Sequence, residues 1–206
     1  MKDVDLLASP YTKDLDHYVQ EYWTKLYQTS KDQNPGLDLD GSKHDVNTNP
    51  VYCACDMIGK GESIIRTLSI SADKSIFIPL NDVGVSDREH PGADANDLKQ
   101  RAMQDEDSAT KVKLTIDNDV YDLKDFKNKR YRIRKPIGPF EVVIPDNPLD
   151  GLGAPGPAMV VADGYYLIIK PFTPGDHTIR IEAEVSNPHN RKERWTEDVT
   201  YKINVT

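Results

Sequence analysis

Oxygen donors recur at close spacing in the loop "LDLDGSKHD", residues 37–45. The candidate ligands are Asp38, Asp40, Ser42, His44 and Asp45. A Ca²⁺ ion takes about six to eight oxygen ligands in a flexible cage, so the pattern is compatible with a calcium site. It is not an EF-hand, because Gly41 falls too early in the loop. The alternative is that these side chains accept hydrogen bonds from the backbone of a turn.

The cysteines lie together in "VYCACDM", at positions 53 and 55. On a strand they would share one face, and a disulfide over so short a span would be strained. Two thiolates with the imidazole of His44 or His90 would suit copper or zinc. Structural zinc sites use a wider cysteine spacing and four ligands, so buried free thiols are the alternative for Cys53 and Cys55.

The polar stretch "DREHPGADAND", residues 87–97, places a histidine among carboxylates. Its candidates for ligand binding are Asp87, Glu89, His90 and Asp94. A histidine so placed could act as a general base or a ligand, and long polar insertions between strands often carry binding function. Solvated loop charge explains the same residues equally well.

Aromatic residues offer a third kind of site, a stacking platform for carbohydrate. Trp23 and Trp195 are the main candidates, with Tyr165 and Tyr166 beside them in the chain's most regular stretch. Consecutive residues of a strand point to opposite faces, so at most one of the two tyrosines can join such a platform.

Several function classes find no support in the sequence. There is no G-x-S-x-G elbow, P-loop or G-x-G-x-x-G fingerprint, which favours a protein that is not an enzyme. The formal net charge of −8 argues against nucleic acid as the partner. No segment has the length and apolarity of a membrane span, and the N-terminal residues do not resemble a signal peptide, so the location stays unknown.

Two helices and about nine or ten short strands would position these residues. "SPYTKDLDHYVQEYWTKLYQTS" predicts an amphipathic helix within residues 1–30, capped by Ser9 and Pro10. A short helix capped by Asp94 or Asn96 is expected in an acidic insertion at residues 81–110. Strands are expected at 51–56, 63–69 and 75–80, at a hairpin around Asp117-Asn118, and in five later segments. These later segments are "YRIRK", "FEVVIP", "YYLIIKP", "TIRIEAEV" and "DVTYKINV".

The stretch "VVADGYYLIIKPFTPGDHTIRIEAEV", residues 160–185, predicts two strands around one tight turn. His177 begins the second strand. By alternation it shares a face with Ile179 and Ile181, which favours a residue at the boundary of the core over a ligand.

Several segments occur in an order that is similar to a known group. They are "YVQEYWTKLYQ", "NPGLDLDG", "RTLSISADKSIFIPLND", "ADGYYLIIKPFTPGDHTIRI" and "DVTYKINV". Over most of its length the chain resembles uncharacterised, often secreted microbial β-sandwich proteins, which carry a tryptophan-rich helix, an NPxxDxxG loop and a PGxHTI hairpin. The resemblance implies a fold and no activity. "VYCACDM" departs from the apolar strand of that group.

The sequence therefore predicts one mostly β domain over residues 1–206, a β-sandwich or jelly roll with an N-terminal helix. The first functional hypothesis is a non-catalytic binding or structural module, alone or as a homo-oligomer, with ligand contacts from loops 38–45 and 81–110. The second is a metal-dependent protein or enzyme that uses His44, Cys53, Cys55 and His90 with calcium or a transition metal. The third is a carbohydrate-binding module.

Overall fold

The computed structural model describes residues 15–54, 63–122, 132–133, 135–186 and 194–206. The helices are α1 (Leu15–Gln28) and α2 (Ala95–Asp107). The strands are β1 (Val51–Tyr52), β2 (Ile64–Ile70), β3 (Ile76–Ser86), β4 (Ala109–Ile116), β5 (Asp119–Asp122), β6 (Ile137–Ile144), β7 (Gly156–Ile169), β8 (Gly175–Ser186) and β9 (Arg194–Val205). They form a four-stranded sheet in the order β1-β3-β7-β6 and a five-stranded sheet in the order β2-β9-β8-β4-β5. The predicted mostly β fold with two helices is confirmed.

The two sheets face each other across one apolar core. Ile78 and Leu167 of the four-stranded sheet pack in the same cluster as Leu68, Leu114 and Ile181 of the five-stranded sheet. Alternation explains the pattern, because β2 buries every second residue and exposes the ones between. The outer face of the five-stranded sheet is polar, and ion pairs such as Arg180 with Asp198 lie across its strands.

Helix α1 covers the opposite face of the four-stranded sheet. Its aromatic stripe, which includes Tyr22 and Trp23, packs against Phe77 and Tyr166. Trp23 Nε1 donates a buried hydrogen bond of 2.9 Å to Tyr166 Oη. β7 is therefore buried on both faces, which is why it reads as a nearly continuous apolar run. The predicted capping residues Ser9 and Pro10 lie outside the described residues.

Gly84 on β3 allows Trp23 to reach the sheet. A Cβ atom at this glycine would lie 2.6 Å from the nearest carbon of the Trp23 ring. We therefore expect Gly84→Ala to lower the free energy of unfolding by about 1–3 kcal/mol, because the ring is packed and cannot give way. Urea denaturation followed by tryptophan fluorescence measures this. In Gly92→Ala nothing lies within 4 Å of the added Cβ, and the φ of 88° at that residue makes backbone strain the cost of the change, so this variant separates strain from steric contact. An unchanged midpoint in Gly84→Ala would contradict the close packing.

Helix α2 occupies the insertion and extends the layer formed by the five-stranded sheet. Asp94 caps it by accepting hydrogen bonds from Asn96 N and Asp97 N, and Asp97 completes a capping box. Its Leu98 and Ala102 pack against Val85 and Val161. The predicted helix is confirmed, although the insertion is shorter than residues 81–110, because β3 continues through Ser86.

The predicted hairpin in residues 160–185 is wrong. Both strands exist, but β7 belongs to the four-stranded sheet and β8 to the five-stranded sheet, so the segment between them crosses from one layer to the other. A period of two shows which residues share a face and does not show which strand lies alongside. The other predicted hairpin is confirmed. β4 pairs with β5, Ile116 lies opposite Asp119, and Asp117 adopts a φ of 51° in the turn.

Other strand boundaries also differ from the prediction. β1 has only two residues, and β7 begins at Gly156, well before "YYLIIKP". From "YRIRK" the structure describes an isolated bridge between Arg132 and Tyr165.

Candidate functional site

The loop at residues 38–45 is organised around one buried carboxylate. Asp38 Oδ1 accepts hydrogen bonds from Asp40 N and Gly41 N, at 3.2 and 3.1 Å. Its Oδ2 accepts from Lys43 N at 2.9 Å and from His44 Nδ1 at 2.8 Å. Burial alone would raise the pKa of Asp38, but these hydrogen bonds outweigh it and hold the pKa well below its ordinary value. Asp38 therefore acts as the acceptor that shapes the loop.

His44 continues this network into the core. Its Nδ1–H donates to Asp38, and its Nε2 accepts from Ala54 N at 3.3 Å, which requires a neutral ring. Burial and the nearby charge of Arg66 lower the pKa of His44 to about 4. Arg66 is fully buried and donates to Asp38 O, Ala54 O and Tyr201 Oη, at 2.8, 2.6 and 2.6 Å.

The remaining candidate ligands for a metal are dispersed. Asp40 and Asp45 are exposed and accept hydrogen bonds from Ser42 N and Asn47 N in their own turns.

Within the described part of the chain, the candidate ligands for copper or zinc are not brought together either. Cys53 is fully buried, and burial raises the pKa of its thiol to about 12. His90 is half-buried, with a pKa lowered by burial. Cys55 lies outside the described residues, and within those residues no three His, Cys, Asp or Glu side chains are placed to hold a metal.

Two acidic residues of the insertion fix its backbone. Asp94 caps α2, as described above, and Asp87 Oδ1 accepts from Met159 N at 3.0 Å. Asp87 thereby ties the start of the insertion to β7. Both carboxylates therefore stabilise the backbone of the segment that contains Glu89.

Glu89 is anchored through one oxygen only. Its Oε2 accepts hydrogen bonds from Tyr27 Oη, Ser86 N and Ser86 Oγ, each at 2.8 Å. Its Oε1 has no protein partner among the residues described. Burial is the main reason that the pKa of Glu89 is raised, although the three donors oppose the change. A carboxyl group with one fixed and one open oxygen can present either a donor or an acceptor to a ligand.

Glu89 lies on the wall of a groove of about 620 Å³. The lining residues come from the turn at 86–93, the loop at 147–153 and the segment after α1: Lys31, Arg88, Glu89, Asn147, Pro148, Leu149, Asp150, Gly151 and Gly153. Lys31 Nζ and Asp150 Oδ2 form an ion pair of 2.6 Å at this site. The groove brings charged and amide side chains from three separate segments together.

The aromatic candidates divide between core and surface. Trp23 is 4% exposed and Tyr165 and Tyr166 are buried, on the opposite faces of β7 that alternation predicts. Trp195 is 54% exposed, at the start of β9.

A second buried acidic group lies where α2 meets the sheet, and the sequence analysis did not single it out. Glu106, 2% exposed, accepts hydrogen bonds from Asn81 Nδ2 on both oxygens, at 2.9 and 2.8 Å. Arg132 donates to Asp163 Oδ2 at 2.6 Å and also binds Asp107. Burial, reinforced by the neighbouring carboxylates Asp82 and Asp163, raises the pKa of Glu106 well above its ordinary value.

A signal in the sequence could have revealed Glu106. It follows Leu98 and Ala102 at intervals of four residues, which places it on the same face of α2 as these two buried residues. An acidic residue on a buried helix face is unusual.

His177 lies at the edge of the core. Its Nδ1 and Nε2 are 3.0 and 2.9 Å from Asp117 Oδ2 and Thr173 O, and its ring stacks on Phe172. Burial opposes protonation, but these acceptors raise the pKa above its ordinary value. The contacts explain His177 as part of the scaffold between β4 and β8.

No family model, curated protein or solved structure matches this chain. Within the described residues, no helix combines the length and apolarity needed to cross a membrane.

The groove and the charged groups that surround it are therefore the main indication of function. Glu89 was a sequence-based candidate at this groove. Lys31 and Asp150 were missed because they come from segments far from it in the chain, and Arg88, next to Glu89, was missed because only carboxylates and the histidine of that stretch were considered.

Proposed function

We propose that this protein is a non-catalytic binding module that takes a small polar ligand in the groove beside Glu89. The observation that carries the proposal is the asymmetry of the Glu89 carboxyl group. Three donors fix Oε2, while Oε1 is left without a protein partner among the described residues. A rigidly held polar group in a concave surface is what a binding site needs to orient a ligand.

The composition of the groove supports a polar ligand over an apolar one. Lys31, Arg88 and Asn147 supply donors, and Glu89 and Asp150 supply acceptors. Among the described residues of the lining, Pro148 and Leu149 are the apolar side chains. A molecule rich in hydroxyl groups could match donors and acceptors on both sides, which connects this proposal with the carbohydrate hypothesis.

The sequence predicted ligand contacts from the loops at residues 38–45 and 81–110, and the proposed groove uses the second of them. The insertion contributes Arg88 and Glu89, but the second wall comes from residues 147–153 instead of 38–45. The absence of a catalytic motif in the sequence supports a binding role without turnover.

Chemical-shift mapping of backbone amides tests the proposal, with D-glucose, D-galactose, N-acetylglucosamine, D-glucuronate and glycine as separate probes. We expect at least one probe to give saturable shifts that cluster at Glu89, Asp150, Gly151 and Gly153. Glu89→Ala should weaken binding of that probe by about tenfold, which corresponds to roughly 1.4 kcal/mol, because it removes both oxygens of the carboxyl group. Glu141→Ala is the matched control, because Glu141 is exposed on β6 and does not line the groove.

Two results would count against the proposal. Shifts that cluster elsewhere, or no saturable shift with any probe, would remove the groove as the binding site. Chemical conversion of a bound probe, detected by mass spectrometry and lost in Glu89→Gln, would show that the module is an enzyme.

A further inference from the structure

Among the described residues that line the groove, Arg88 is a cationic side chain without an ionic partner. Lys31 is paired with Asp150 at 2.6 Å. Arg88 Nε donates to Pro157 O at 2.7 Å, and the two terminal nitrogens of its guanidinium have no partner in the described part of the chain. Those two nitrogens form the side of the guanidinium that binds a carboxylate in a bidentate manner.

The base of Arg88 packs against the loop at residues 147–153. Gly153 adopts a φ of 90°, and a Cβ atom at this position would lie 2.6 Å from Arg88 Cβ. The 147–153 loop therefore packs on Arg88 Cβ and on the backbone that joins Arg88 to Glu89. The hydrogen bond from Nε to Pro157 O limits where the guanidinium can point, so less freedom is lost when a ligand binds.

Glu89 follows Arg88 directly and can assist an anion instead of repelling it. Its Oε2 already accepts three hydrogen bonds, so a proton taken up by the carboxyl group is placed on Oε1. Burial raises the pKa of Glu89, which makes this protonated form more accessible than for an exposed glutamate. Protonated Oε1 donates a hydrogen bond, as the terminal nitrogens of Arg88 do.

We propose that the ligand is a hydroxylated carboxylate, such as a sugar acid, whose carboxylate is bound by the terminal nitrogens of Arg88 and whose hydroxyl groups meet Glu89 and Asn147. This inference rests on the proposed function, since it names the ligand class of the same groove. Arginine suits this role better than lysine because its planar fork matches the two carboxylate oxygens.

D-Glucuronate and D-glucuronamide are the probes that test the charge, because they differ only in replacement of the carboxylate by a neutral amide. Amide chemical-shift titrations of the full chain give a dissociation constant for each. We expect glucuronate to bind at least about tenfold more tightly than glucuronamide, with shifts at Glu89, Gly151 and Gly153. Arg88→Gln should abolish that preference, so that the two probes bind with equal affinity, and Arg88→Lys should retain only part of it.

Arg101→Gln is the matched control, since Arg101 is an exposed arginine of α2 that does not line the groove. It should keep the preference for glucuronate. Equal binding of both probes in the groove would overturn the carboxylate inference and leave the proposed function standing. A preference that survives in Arg88→Gln would also overturn it. If neither these two probes nor the neutral sugars shift the groove amides, both proposals fail.

Discussion

Asp38→Ala should lower the free energy of unfolding by about 3 kcal/mol or more. The substitution leaves four donors without their acceptor: the N–H groups of Asp40, Gly41 and Lys43, and His44 Nδ1–H. A buried donor that loses its partner costs about 1–3 kcal/mol, although some of these groups can turn to water. His44 is the donor least able to do so, because its side chain is fully buried.

Asp40→Ala is the matched control for this prediction. Asp40 is an exposed aspartate in the same loop, and its carboxylate accepts from Ser42 N at 2.9 Å. We expect it to lose no more than about 1 kcal/mol. Urea denaturation of both variants at pH 7, followed by circular dichroism, compares them. Equal losses would mean that the buried network contributes no more than an ordinary surface turn.

Glu106→Gln should stabilise the protein at neutral pH and flatten its stability profile. In the unfolded chain Glu106 loses its proton near its ordinary pKa of 4.5, whereas the folded protein retains the proton to higher pH. Between these two pKa values the unfolded state releases a proton that the folded state keeps, so stability falls as pH rises, by about 1.4 kcal/mol per pH unit. Below pH 4.5 both states are protonated and this effect vanishes. Glutamine has nearly the same shape without the titrating proton, and it keeps one of the two oxygens that accept from Asn81 Nδ2.

The measurement is the free energy of unfolding of the wild type and the variant at several pH values from 4 to 8. The two curves should diverge as pH rises, with the variant more stable. Glu141→Gln makes the same chemical change at an exposed position and should follow the wild-type curve. Parallel curves for Glu106→Gln and the wild type would show that Glu106 titrates normally despite its burial.

Local features of the fold could be predicted from sequence because they depend on neighbours in the chain. The apolar stripe of α1, the Asp94 cap of α2 and the Asp117-Asn118 turn are each specified within a few residues. The crossing from β7 to β8 could not be predicted in this way. Alternating residues in the two strands suit a hairpin and a crossing equally, and the choice depends on which partner strands arrive from elsewhere.

The candidate site also combines local features, which the sequence indicates, with contacts between distant segments, which it does not. Glu89 was accessible to sequence reasoning because it lies in a polar insertion. Its partner Tyr27 and the wall at residues 147–153 lie far from it in the chain and share no motif with it. Asp38 and His44 were both identified as candidate ligands, but whether such residues bind an ion or organise a loop depends on burial, which spacing does not encode.

The position of β9 has a consequence for how the chain folds as it is synthesised. β9 lies between β2 and β8, and Ile64 at the start of β2 pairs with Val199. On the ribosome, β2 and its apolar face must therefore wait for the last strand of the sheet to emerge before they find their neighbour. Pairing of such distant segments is slow, and unpaired strand edges are prone to aggregate while they wait. A nascent chain that stalls before residue 199 should therefore depend on chaperones until synthesis resumes.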